Sequence, residues 1–159
     1  MNLTLNCVEK IENLEGCESL NKLDLTANFV GDIRCISALK KNKQLRLLYL
    51  TGNPCVQYEH YRAFVIDELQ QLEELDGLEI SRSDRLTAKQ MRPTIHKAIN
   101  AQSDLYNDKR DRQRADYKMR EKKTGDDFWN EVDEDSPEAR YDMYIGKHIL
   151  INLDLLSVF

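Results

Sequence analysis

LNKLDLTANFV, residues 20–30, is the stretch on which the fold turns, because LRLLYLTGNPC answers it at residues 45–55. Leu20, Leu23, Leu25, Asn28 and Val30 align with Leu45, Leu48, Leu50, Asn53 and Cys55, giving LxxLxLxxNx(V/C). A shorter copy, LTLNCV at residues 3–8, places Leu3, Asn6 and Val8 in the same register. After each asparagine, apolar residues recur at every third position: Val8, Ile11, Leu14, Cys17 and Leu20, then Val30, Ile33, Ile36 and Leu39.

The copies stand 22 and then 25 residues apart, the period of a leucine-rich repeat. Each coil is read as a short strand with its leucines turned inward, a turn, and a return arc with threefold apolar spacing. One coil cannot bury its own apolar face, so coils stack and share a core. Asn6, Asn28 and Asn53 fall where the chain leaves the strand. An inward amide there can both donate to and accept from backbone groups that have no ladder partner. In the first copy Leu3 occupies the second strand-leucine position, so the expectation is that the chain begins inside a repeat.

The YEHYRAFVIDELQQLEELDGLEI segment at 58–80 changes the period. Tyr61, Val65, Leu69 and Leu72 lie at helical spacing. Directly after the last repeat, such a helix is expected to cap the open end of the core, with LEELDG adding one more strand. From Ser81 the composition becomes polar, and Pro93 interrupts a helix begun there. Residues 107–124 hold eight Lys/Arg against four Asp/Glu, and residues 126–142 hold eight acidic residues and one arginine. Adjacent blocks of opposite sign read as solvated helix and linker, with Phe128 and Trp129 as a candidate docking anchor. The last segment, 145–159, is apolar. If Gly146-Lys147 is encoded GGTAAG, it contains a splice-donor-like GTAAG, and retained intron sequence is the expectation for this tail.

The expected organisation is therefore repeats at 1–57 with the first incomplete, a cap at 58–80, a charged helical or disordered linker at 81–144, and the tail at 145–159. The fold class is α/β: a solenoid with parallel strands and a helical C-terminal cap, followed by a charged, partly helical tail.

Composition narrows the function. The four cysteines contain no CxxC pair, and Cys17 and Cys55 fall at repeat core positions. They read as small core hydrophobes, and the expected compartment is reducing and intracellular. With no run of about 18 apolar residues, no membrane partner is expected. His60, His96 and His148 are scattered without a paired carboxylate or nucleophile, and no glycine-rich phosphate loop is present. No enzyme activity, metal or cofactor is expected. A formal net charge of −5 and a pI near 5.3 argue against nucleic acid. What remains is a binding module. Between the inward leucines, Lys22, Asp24 and Thr26 on one strand and Leu47, Tyr49 and Thr51 on the next face the concave surface, the usual binding face of a solenoid.

IENLEGCESLNKLDLTANFVGDI, followed by LYLTGNPCVQYEHYRAFVIDELQQLEELDGLEISRSDRL, resembles the tilB-homolog family of leucine-rich-repeat axonemal dynein assembly factors. LDLTANFVGD, GNPC, YRAFVI and LDGLEISRS carry the specific part of the likeness, and DDFWNEVDEDSPEAR resembles an element further along that family. Family members carry additional repeats upstream and a CS-type domain downstream. The resemblance implies non-catalytic scaffolding in cytoplasmic preassembly of dynein arms, in the cytoplasm and at the cilium, flagellum or its base. Implied partners are other assembly factors, including a MYND-type zinc-finger protein, together with chaperones and dynein chains. The alternative is a generic leucine-rich-repeat adaptor of phosphatase-regulatory or spliceosomal ribonucleoprotein-like type.

Overall fold

The computed structural model describes residues 1–123, in two compact units that part between Arg112 and Gln113. In the first unit, β1 (Lys22–Asp24), β2 (Leu47–Tyr49) and β3 (Glu74–Leu75) pair in parallel, in chain order. Leu23 stands opposite Leu48, and Leu48 opposite Leu75. All three are fully buried. The first copy joins the same sheet through a single parallel bridge, Asn2 to Asp24. β4 (Leu78–Glu79) turns back antiparallel on β3 and ends the parallel series. Its two-residue turn is Asp76-Gly77, with φ of 54° and 80°. Positive φ at both positions is what a tight Asp-Gly hairpin turn requires.

The threefold apolar spacing has a direct cause. Residues Ile33–Lys41 form a 3₁₀ helix, in which every third side chain lies on one face. That face is Ile33, Ile36 and Leu39, all fully buried. The repeated Leu-Thr-x-Asn has a conformational cause too. Its third position is left-handed in every copy, with φ of 58° at Leu5, 54° at Ala27 and 78° at Gly52. This turn brings Asn28 and Asn53 inward, while Asn6, expected inward as well, stays exposed in the first coil. Gly52 suits it best, since a Cβ there would sit 3.3 Å from the Ala27 backbone.

Helix α1 (Tyr61–Glu68) closes the end of the core with Tyr61, Phe64, Val65 and Ile66. Leu69 and Leu72, read as further helical positions, are buried just past its end. Arg62 then ties the cap to the sheet by donating to the carbonyls of Leu75, Leu78 and Glu79. Ser81 and Asp84 form a reciprocal capping box that starts α2 (Arg82–Gln90). A break at Met91 precedes α3 (Arg92–Lys123), which carries Pro93 in its first turn, where the missing N–H costs nothing.

The expectation that nothing beyond residue 81 packs on the repeats is overturned up to Arg112. Ala88, Ile95 and Ile99 belong to the core, and Ser103 and Arg110 are buried. Beyond Ile99 the inner face of α3 is polar. Gln102 accepts from the Glu59 amide at 2.9 Å, and the Tyr106 hydroxyl donates to the Phe29 carbonyl at 3.2 Å. Asn107 bonds Asp32 at 2.9 Å, Arg34 pairs with Asp104 at 2.7 Å, and Arg110 reaches Glu9 at 3.1 Å. Periodicity sees only apolar stripes, so a helix that docks by matched hydrogen bonds reads as solvated. Gly31 belongs to this docking, because a Cβ on it would lie 2.0 Å from the Tyr106 ring. In the second unit the description is of α3 alone, continuing to Lys123.

Candidate functional site

Along the sheet, residues between the inward leucines line up across strands. One row runs Lys22, Leu47, Glu74 and Glu79, and the neighbouring row sets Asp24 beside Tyr49. The six residues read from the sequence as the concave face are thus brought together, and Glu74, Asp76 and Glu79 extend it. Those three escaped the sequence reading of the face because the cap strand lacks the repeat pattern. The LDG turn was the available signal.

The face is tied together by polar contacts. The Tyr49 hydroxyl donates to Glu74, and the Lys22 ammonium stands 4.6 Å from the centre of the Tyr49 ring. That hydrogen bond, then burial, then the charges of Glu74, Asp24 and Asp76 hold the Tyr49 hydroxyl above its ordinary pKa. Asp24 accepts from the Thr26 amide at 3.1 Å. Hydrogen bonding to Thr26 lowers its pKa against the opposing effect of burial. Asp76 is spent on structure. One carboxylate oxygen accepts from the amides of Leu50 (2.6 Å) and Thr51 (3.0 Å) and from the Thr51 hydroxyl (3.2 Å). The other oxygen accepts from the Tyr61 hydroxyl at 2.8 Å. Thr51 is thereby fixed to the cap, and Leu47, half-buried, sits between the charges of its row.

The asparagines stand behind this face. Asn28 is 2% exposed, donates to the carbonyls of Leu3 and Leu25, and accepts from the Val8 amide. Asn53 repeats this one coil on, with Leu25, Leu50 and the Val30 amide. Asn6 is exposed and donates to Leu3 and Thr4 of its own coil. Another asparagine went unnoticed in the sequence. Asn42, fully buried at the end of the 3₁₀ arc, donates to the carbonyls of Leu14 and Cys17. It stands three residues before Leu45 as Cys17 stands three before Leu20, a match that the aligned leucines already offered.

Cys17, Cys35 and Cys55 carry free thiols. Burial raises the Cys35 thiol to about 11 and moves Cys55 further up, so neither presents a ready thiolate. His96, which looked isolated, meets Asp67 at 3.3 Å and Glu68 at 3.7 Å. Arg92 pairs with Asp67 at 2.7 Å and Lys40 with Glu68 at 2.5 Å, so both carboxylates are already compensated. Residues 29 apart in the chain meet here through the docking of α3, which no local motif announces. Phe128 and Trp129 lie outside the described residues.

Part of the chain is similar to proteins of known name. Dynein axonemal assembly factor 11 of Trypanosoma brucei brucei is 48% identical over 103 residues, 65% of this chain. The mouse protein of that name is 45% identical over 85 residues, and Drosophila melanogaster protein tilB 47% over 57. Over these segments the chain is similar to proteins of the tilB family. It spans 27%, 18% and 14% of the length of those three tilB-family proteins. No protein-family model matches the chain. In architecture, the chain matches a chain of the Drosophila melanogaster SNF/U2A′ complex with a TM-score of 0.53 and 26% identity. That match covers 56% of this chain and 52% of the other, and it places the fold among leucine-rich-repeat proteins.

Proposed function

We propose that this chain acts as a non-catalytic interaction scaffold in the cytoplasmic preassembly of axonemal dynein arms for motile cilia or flagella. The observation that carries this reading is identity of 45–48%, over 85 to 103 residues, to proteins named for axonemal dynein assembly. The finer expectations belong to the same proposal. They are partnership with other assembly factors (a MYND-type zinc-finger protein among them), with chaperones and with dynein chains, acting in the cytoplasm and at the ciliary base. Lys22, Asp24, Thr26, Leu47, Tyr49 and Thr51 are the proposed contact residues. Three carboxylates of the face, Asp24, Glu74 and Asp76, are held in turn and sheet contacts, which supports binding over catalysis.

The test is a chimera. Residues 1–112 replace the matching segment of a tilB relative in cells lacking that relative. Dynein arms and motility should return. A chimera that is expressed at normal level yet leaves the arms absent defeats the reading. The likeness to the SNF/U2A′ chain supports a second reading, a ribonucleoprotein-like adaptor. A splicing defect with intact dynein arms on loss of the gene would favour it.

A further inference from the structure

The concave face has a chemistry more specific than a generic binding surface. Tyr49 lies at its centre. Asp24 is its register partner on β1, Asp76 follows Leu75 at the end of β3, and Glu74 takes its hydroxyl proton in a hydrogen bond. Glu79 stands beside Glu74 on β4. An aromatic ring whose edge is surrounded by carboxylates offers a negative π-face in a negative field, the arrangement that attracts an ammonium or guanidinium. The face already holds a cation in that position. The Lys22 ammonium stands over the ring at 4.6 Å, on a side chain that is itself exposed.

We infer that the concave face binds a cationic segment of a partner protein, with an Arg or Lys side chain taking the place of Lys22 over Tyr49. The observation that selects this occupant is charge complementarity. An acidic partner would meet Asp24, Glu74 and Glu79, and an apolar one would set those carboxylates against hydrocarbon. A guanidinium can stack on the ring and bond a carboxylate at the same time, because its donors lie in the plane that stacks. Lys22 acts as the internal occupant that a ligand displaces, so its affinity for Tyr49 sets part of the threshold for binding. The inference rests on the concave face being the contact surface of the scaffold.

The experiment uses the full chain and a short fluorescent peptide of alternating Gly and Arg, with its Gly-Glu counterpart as control, read by anisotropy. The Gly-Arg peptide should bind, the Gly-Glu peptide should not, and rising ionic strength should weaken the complex. Because the whole chain is acidic, the decisive comparison is between variants of equal charge. Asp24→Asn with Glu74→Gln should weaken binding by about tenfold or more. Glu15→Gln with Glu18→Gln, on exposed positions away from the sheet, should change it by less than about twofold. Tyr49→Leu should weaken it with no change in charge, and Lys22→Ala should strengthen it more than Lys10→Ala does. Circular dichroism on each variant verifies the fold. Equal effects of the two double variants, or a Tyr49→Leu chain that binds normally, overturn the inference. Failure of the chimera with peptide binding intact defeats the scaffold reading alone. Rescue by a chimera carrying Tyr49→Leu, Asp24→Asn and Glu74→Gln defeats this inference alone.

Discussion

The first and second coils carry the same Leu-Thr-x-Asn-x-(Val/Cys) element, yet the structure uses it differently in each. Asn28 is buried and bonds backward to the Leu3 carbonyl, while Asn6 is exposed and bonds within its own coil. Leu25 and Val30 are 1% and 0% exposed, whereas their counterparts Leu3 and Val8 are half-buried. Identical residues therefore contribute differently according to what is stacked on them. In a solenoid the stability of a repeat resides largely in its interface with its neighbours. The second coil has such a neighbour on both sides among the described residues.

The sharpest way to break this comparison is through the leucines. Leu48 is fully buried between Leu23 and Leu75 at the centre of the sheet. Leu48→Ala should cost about 2–5 kcal/mol by transfer and cavity terms. Leu3→Ala, half-buried in the first coil, should cost clearly less. Urea denaturation of both variants reads the difference, and equal midpoints would show that the first coil is as well supported as the second.

Next come the residues that join elements. Gly31→Ala drives a methyl into the Tyr106 ring and should cost about 1–3 kcal/mol through overpacking. In a Tyr106→Ala background most of that loss should vanish, a coupling that a double-mutant cycle measures. If it persists, the loss arises in the loop at Gly31 and the docked helix is uninvolved. Asn28→Ala should cost about 1–3 kcal/mol because it strands the Val8 amide and removes one of two side-chain donors from each of the Leu3 and Leu25 carbonyls. Asn6→Ala and Thr26→Ala should stay within roughly 0.5 kcal/mol, as exposed or half-exposed positions do.

These contrasts also mark what could be read from the sequence. The leucines, Asn28 and Asn53, the parallel strands and the cap were legible because each repeats at a fixed period or follows from closing an open core; the inward amide expected at Asn6 was not found. The cap's share of the face was hidden, since Glu74 sits on a strand, and Asp76 in the turn after it, that depart from the repeat. The docking of α3 was hidden for a different reason. Ile95 and Ile99 give it two apolar anchors, but Ser103, Tyr106, Asn107 and Arg110 complete the face with polar atoms. Such a face has meaning only beside its complement in the loop from Phe29 to Arg34, and the complement lies some 75 residues away in the chain. The left-handed third position of Leu-Thr-x-Asn was legible only at Gly52. Leu5 and Ala27 adopt it against their own preference because the stacked coils demand it.

The smallest effect expected separates the coils by pH. Asp32 belongs to the second coil, caps its 3₁₀ arc through the Arg34 amide, and receives bonds from the Arg34 guanidinium and from Asn107 of α3. Burial pushes its carboxyl up, but the hydrogen bonds from Arg34 and Asn107 outweigh that and bring it to about 2 from an ordinary 3.8. A carboxyl depressed in the folded state adds stability that is complete above its unfolded pKa and fades as pH falls through the folded one. The advantage of the wild-type chain over Asp32→Asn should therefore be constant at neutral and weakly acidic pH. It should shrink from about pH 4 and be largely gone near pH 2. Because the carboxylate is partly exposed, the effect is screened and should fall in high salt. Urea midpoints taken across that range supply the measurement. An advantage unchanged down to pH 2 would mean that the substituted amide fails as a cap for reasons of shape. An advantage absent at neutral pH would mean that the charged clamp between α3 and the second coil adds nothing beyond what Ile95 and Ile99 already provide.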